Sequence, residues 1–172
     1  MIKTDRKPFV EWYDECAERV FKFLCAKVSS TADAQDLTSQ TFLKAWQAYP
    51  NLRHPERFIP WVFTIARNLA NDQYRRKKPL ALPLDESAPD PRANPVDDVI
   101  KNQFRTRLAE LVAELREDER ELLYLRYQAD LNFREIARIV RRSESAIKKQ
   151  HLRLLARLQS QMELENEQPQ AN

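Results

Sequence analysis

Glycine is absent from all 172 residues, where average usage would place roughly a dozen. Dinucleotide fingerprints, Walker-A phosphate loops and Gly-x-Ser-x-Gly nucleophile elbows need glycine for tight turns or close backbone approach, so all three are excluded. Type I′ and II′ hairpins lose their preferred residue, which argues against a β-rich fold. Histidine and cysteine are scarce: His54, His151, Cys16 and Cys25. They show no metal-ligand spacing, so neither a metal site nor a cofactor is expected. Cys16 and Cys25 fall on opposite sides of a helix, about 13 Å apart along its axis, and are read as buried, reduced thiols. No apolar run approaches the roughly 18 residues of a membrane span. The charged start, Met1–Lys7, has no signal-peptide core. These absences point to a cytoplasmic protein without membrane insertion. No cluster of nucleophile, base and carboxylate is visible, so no enzymatic activity is expected.

What is present is helical pattern and segmented charge. Hydrophobic residues make up 42% and charged residues 32% of the chain, enough apolar content for packed cores. Five of the ten prolines fall between Pro79 and Pro95. This acidic stretch, within 79–99, reads as a flexible linker between an N-terminal part, 1–78, and a C-terminal part, 100–163. The last residues, 164–172, read as a disordered tail. The net charge is only +3, yet residues 53–78 hold 7 basic and 2 acidic groups, and residues 134–157 hold 8 and 2. Two basic surfaces, one per half, suit two contacts with one polyanion, the alternative being two solvated helix faces.

Apolar spacing predicts an all-α fold. Phe9, Tyr13, Cys16, Val20, Leu24 and Val28 define a first helix. Ser29-Ser30-Thr31 offers caps for a second, with Ala34, Leu37, Thr41, Ala45 and Tyr49 on one face. A third starts near Pro55–Pro60 and runs through Ile65, Ala66, Leu69 and Gln73 towards Lys78. Val96, Ile100, Phe104, Leu108, Leu111 and Leu115 mark a long fourth helix. Asp118 with Glu121 is expected to cap a fifth carrying Leu122, Leu125 and Arg126. Asn132 with Glu135 caps a short sixth, Phe133–Val140, with Ile136 and Ala137 inward. Ser143 caps a seventh bearing Ile147, Leu154 and Leu158.

Residues 133–158 have the form of a helix-turn-helix, whose second helix places its N-terminal residues at base edges in the major groove. Those residues are Glu144, Ser145, Ala146, Lys148 and Lys149. Glu144 suits a cytosine amine, and the lysines suit guanine or phosphate. Arg134, Arg141, Arg142 and Arg153 suit phosphates. A helical hairpin with a solvated basic face is the competing reading.

The stretch D36-L-T-S-Q-T-F-L-K-A-W46 followed by F58-I-P-W-V-F-T-I-A-R-N-L-A-N-D-Q-Y-R-R76 resembles the core of bacterial sigma factors. L115-R-E-D-E-R-E-L-L-Y-L-R126, F133-R-E-I-A137 and S143-E-S-A-I-K148 resemble that family's second domain. The resemblance covers about residues 9–78 and 100–160. With nothing expected before the first domain and none between the two, it is to the small extracytoplasmic-function (ECF) group. It implies a dissociable subunit of core RNA polymerase that recognises promoter DNA and begins strand opening. It also implies an anti-sigma factor wrapping both domains, which a flexible tether would permit. By this resemblance Asp36, Leu37, Gln40, Phe42 and Trp46 bind polymerase. Asn51, Arg53, His54, Arg57, Trp61, Arg67, Asn68, Arg75 and Arg76 serve the −10 element, where a base is extruded and held in a loop pocket. The helix that Ser143 begins reads the −35 element. Trp61, Trp46 and Phe42 equally suit core positions, and Asp72 equally suits a helical pair that orients an arginine.

The chain departs from the family at its turns. Arg141 stands where glycine is usual, and Arg142 where an apolar residue is usual. Ala129-Asp130 replaces another usual glycine, and Gln150-His151 replaces a usual Arg-Leu pair. A left-handed arginine would cost about 1 kcal/mol relative to glycine. Either the turn differs or Arg141 compensates at a phosphate. Two other functions remain open on the residues alone: an autonomous helix-turn-helix regulator, and a helical adaptor that binds only protein.

Overall fold

A computed structural model describes residues 7–76 and 97–166, all in helices and their connections. The proposed linker lies mostly outside the described residues, but α4 already begins at Asp97, within its expected span. The expected tail is helical as far as Asn166, and 167–172 lie outside the description.

The first half is a three-helix unit: α1 Phe9–Cys25, α2 Thr31–Ala48 and α3 Phe58–Arg76. On α1, Cys16, Val20, Phe23 and Leu24 are buried. Val28 lies past the helix end, where its N–H meets Leu24 O at 3.0 Å. Ser30 caps α2 by accepting from the Asp33 N–H at 3.1 Å, a bond whose loss costs about 1 kcal/mol. The expected α2 face is the one buried, with Tyr49 in the 3-10 turn that follows. Within that face the Thr41 hydroxyl is satisfied by Leu37 O at 2.6 Å. Pro60 sits in the first turn of α3, where its missing N–H leaves no helical bond unmade. The buried ridge of α3 is Phe58, Val62, Phe63, Ala66 and Ala70. Ile65 and Leu69, expected inward, are only partly buried at its edge. Phe58 packs Phe9 and Tyr49 edge-on at 5.6 Å each and stacks with Trp12 at 5.2 Å. Each such pair contributes about 0.5–1.5 kcal/mol beyond area burial. This aromatic cluster fixes the angle at which α3 leaves the Tyr49–Arg57 turns.

The second half holds α4 Asp97–Ala113, α5 Glu117–Leu123, α6 Phe133–Val140 and α7 Glu144–Asn166. Leu111 and Leu115 pack with Leu154 and Leu158 in a small core of their own. Phe104 and Leu108, expected on that face, are exposed, and the packing of α4 against α7 is carried by Leu111 with Leu115 just beyond the helix end. Asp118 does not cap α5. The helix starts two residues earlier, after Arg116, whose N–H meets the Glu119 carboxylate at 3.2 Å. Helix α5 continues into a π-helical turn, Tyr124–Gln128, closed by Ala129 N–H to Tyr124 O at 3.0 Å. Asn132 and Glu135 form the expected reciprocal cap on α6, at 3.0 and 2.8 Å.

The two halves are in contact. Leu122, Leu125, Ala129, Leu131, Ile136, Ala137, Ile139 and Ile147 share one continuous core with the first unit. Tyr124 meets Phe23 at 5.8 Å and donates to Arg19 O, while Arg19 donates to Ala129 O. Of the two cysteines, Cys16 is buried as expected and its thiol is pushed up to about 12 by desolvation. Cys25 is exposed, because it ends α1 on the face turned away from the core.

Candidate nucleic-acid interface

Helix α2 presents an exposed strip of Asp36, Gln40, Leu43 and Trp46. Trp46 is 60% and Leu43 57% exposed, and the Trp46 ring is held edge-on to Phe9 at 5.1 Å. Val10 and Tyr13 extend this apolar surface from α1. Leu37 and Phe42 do not belong to it. At 3% and 6% exposure they face the core, since positions 37, 41 and 45 form the buried stripe and 42 lies beside it. Leu43 was missed in the sequence although its helical spacing to Trp46 was legible.

The Tyr49–Arg57 turns and α3 form a second surface. Asn51, Arg53, His54 and Arg57 are exposed on it. His54 Nδ1 lies 3.1 Å from a Glu56 carboxylate oxygen. Beside them is a hollow of about 240 Å³, lined by Arg53, His54, Arg57, Pro60, Trp61 and Thr64, and by Arg138 of α6. Trp61 is half-buried against Phe58 at 5.7 Å and forms one wall, which reconciles its two readings. Asn68 is exposed, and Asp72 pairs with Arg75 one turn on. The side chain of Arg76 lies outside the described residues. Arg67 does not point freely outward: its Nε is 2.8 Å from Glu121 of α5. The sequence marks Glu121 only as part of a helix cap and does not mark Arg138, for both meet the first half across a long sequence separation.

The third surface is the helix-turn-helix. Helix α6 ends in a left-handed residue, Arg141, at φ 57° and ψ 48°. Arg142 N–H reaches Ala137 O at 2.9 Å and Arg141 N–H reaches Arg138 O at 3.4 Å. This is the Schellman pattern that glycine ordinarily completes. The turn is therefore the usual one, built without glycine. Asp130 does the same before α6, at φ 48°. Ser143 Oγ accepts from the Ala146 N–H at 3.2 Å, capping α7 as expected. At its start Glu144 is held by Lys148 at 2.7 Å and Arg134 at 3.5 Å, and the Lys148 hydrogen bond lowers its pKa first. The carboxylate expected to accept from a cytosine amine is thus already engaged by two local cations. Arg142 donates to Gln150 at 2.7 Å, and Gln150 donates to Asp118 at 2.9 Å. Arg141, Ser145, Lys149 and Arg153 are exposed, and Ala146 is half-buried. The face combines cations with a capped helix N-terminus, the composition needed to follow a phosphate backbone and reach base edges. Among the described residues no helix is long and apolar enough to cross a membrane.

Comparison with known proteins matches these surfaces to two family models. Sigma-70 region 2 covers residues 12–79 and Sigma-70, region 4 covers residues 105–158. The ECF RNA polymerase sigma factor BldN of Streptomyces coelicolor is 32% identical over 87% of this chain and 60% of its own length. The RNA polymerase sigma factor CarQ of Myxococcus xanthus is 32% identical over 74% of each chain. Coverage of the curated relatives varies, and this chain spans only 38% of one of them. In fold the chain is similar to the sigma factor RpoE of Bartonella quintana, solved in complex with the anti-sigma factor NepR. The TM-score is 0.69 at 21% identity, over 88% of this chain and 94% of that one. With both region models matched in order, and with ECF factors among its relatives, the chain belongs to the extracytoplasmic-function group of the sigma-70 family.

Proposed function

We propose that this protein binds bacterial core RNA polymerase and directs promoter-specific initiation. In this reading Asp36, Gln40, Leu43 and Trp46 meet the polymerase. Asn51, Arg53, His54, Arg57, Trp61, Arg67, Asn68, Arg75 and Arg76 serve the −10 element. The α6–α7 motif reads the −35 element, with Glu144, Ser145, Ala146, Lys148 and Lys149 at base edges and Arg134, Arg141, Arg142 and Arg153 at phosphates. Ser143 positions the reading helix through its cap. The observation that carries the proposal is the exposed Trp46 strip, because an autonomous DNA-binding regulator needs no such apolar surface in its other half. The hollow beside Trp61 supports capture of an unstacked base, through aromatic contact and hydrogen bonds from Asn51 and His54. The protein supplies no reacting group; the chemistry of RNA synthesis is the polymerase's. An anti-sigma factor is a further proposed partner, supported by the bound state of the RpoE relative, and the proposed location is the cytoplasm.

The test is reconstitution. Purified protein added to core polymerase is expected to give transcripts from specific start sites and, alone, to bind duplex promoter DNA poorly. Tight sequence-specific duplex binding without polymerase, together with no polymerase binding, would instead establish an autonomous regulator.

A further inference from the structure

Three ion pairs cross from the first half to the second at one point. The Glu121 carboxylate, 4% exposed, lies 2.8 Å from Arg67 Nε and 3.5 Å from Lys27 Nζ. Lys27, itself 6% exposed, also reaches Glu117 at 2.7 Å. Beside them opens a cleft of about 600 Å³ whose walls include Arg67, Asn68 and Arg75 on α3 and Arg141 at the helix-turn-helix turn. Groups assigned to the −10 and −35 elements therefore face one cleft.

That arrangement cannot serve both elements at once. Centred about 25 base pairs apart, they are separated by roughly 85 Å of B-form DNA at about 3.4 Å per base pair. A compact chain of this length has a radius of gyration of about 16 Å. The promoter-bound form must be more open than this one, and in the closed form a buried carboxylate occupies a cation that DNA would use. We infer that Glu121 is a latch: clamped by Lys27 and Arg67, it holds the halves closed and competes with nucleic acid for Arg67. The inference rests on the reading of Arg67 as DNA-facing. Lys27 has no place in the proposed DNA surface, so it contributes to the latch alone.

The experiment uses the full chain with a spin label on the exposed native Cys25 and a second on Leu152→Cys, at a residue that is 70% exposed. Distances between the labels are measured in the free protein and in Glu121→Gln and Lys27→Gln backgrounds, with circular dichroism as the check on folding. Affinity for a fluorescent 12-nucleotide single-stranded DNA of mixed sequence is measured in parallel. The unmodified latch is expected to give one short distance. Both variants are expected to shift to longer distances and to bind the oligonucleotide about tenfold tighter, the order of one charge-assisted hydrogen bond. Adding Arg67→Ala to Glu121→Gln should abolish the gain. Unchanged distances in folded variants overturn the latch and leave the DNA reading of Arg67 standing. Longer distances without any gain in affinity overturn the competition and that reading with it. Loss of fold in both variants also overturns the latch, by making the pairs a requirement of folding.

Discussion

Replacing Arg141 by glycine and by alanine separates two properties that the sequence superimposes. The residue sits at φ 57°, ψ 48° between α6 and α7. A Cβ in that region costs about 1–2 kcal/mol. Glycine removes this cost but gains unfolded-state entropy, a loss of about 0.4–1 kcal/mol. Arg141→Gly is therefore expected to stabilise the protein by about 0.5–1 kcal/mol. At about 2–4 °C per kcal/mol for a chain of this size, the melting temperature rises by roughly 1–4 °C. Arg141→Ala keeps the Cβ, and with an exposed side chain it should stay within about 0.5 kcal/mol of wild type. On promoter DNA the two variants should behave alike. Each loses one phosphate contact, so the slope of log affinity against log salt falls by about 1 in both. Urea titration and salt-dependent binding of the polymerase complex measure the two effects. An Arg141→Gly protein no more stable than Arg141→Ala would refute the strain argument. A salt slope left unchanged would refute the phosphate contact independently.

Trp46→Ala should cost about 0.5–1.5 kcal/mol of stability through its lost edge contact with Phe9, while weakening core polymerase binding by about 2 kcal/mol or more, as for an exposed aromatic anchor; a pull-down titration against melting data separates the two. Lys148→Ala with Lys149→Ala should lower promoter affinity increasingly as salt is reduced, and equal losses at 50 and 200 mM salt (about a fourfold span) would argue that neither lysine meets the backbone. His151 has its pKa lowered by burial first and by the Arg126 charge second. The unfolded imidazole thus binds its proton before the folded one, so stability should decline as pH falls from about 6.5 towards the folded value. Denaturant midpoints between about pH 7.5 and 5.5 should show a steeper decline for wild type than for His151→Asn.

Features set by a few neighbouring residues were legible in the chain. Ser30, Asn132 and Ser143 cap as their spacing predicts because a cap is a contact over three residues. The α2 stripe followed from period alone. Leu37 and Phe42, which the resemblance offers to the polymerase, are buried as the periodicity of Leu37 and the core alternative for Phe42 allow, because a family motif marks a segment without telling its inner from its outer face. The π-turn at Tyr124–Gln128 left no pattern, since one extra residue per turn resembles ordinary helix over so short a run. Glu121 was read as a cap because its partners, Lys27 and Arg67, stand 94 and 54 residues away in sequence. Of the candidate site, the cations were legible as residues; which of them are already spent on carboxylates required the packing.

Helix α7 runs through both cores of the second half. Ile147 lies in the core shared with the first unit, while Leu154 and Leu158 lie in the smaller one with Leu111 and Leu115. In the language of module exchange, α7 is an axle seated in two bearings. A foreign helix grafted here to change promoter choice has to match both seats, Ile147 in one and, seven and eleven residues on, Leu154 and Leu158 in the other, before any proposed base-contacting side chain comes into play. A cut within 77–96 looks natural from the sequence, yet it would separate the shared core from the eight buried residues that the second half contributes to it. The exchangeable piece is therefore smaller than the domain the proline-rich segment delimits, and its boundaries are set by Ile147 and Leu158.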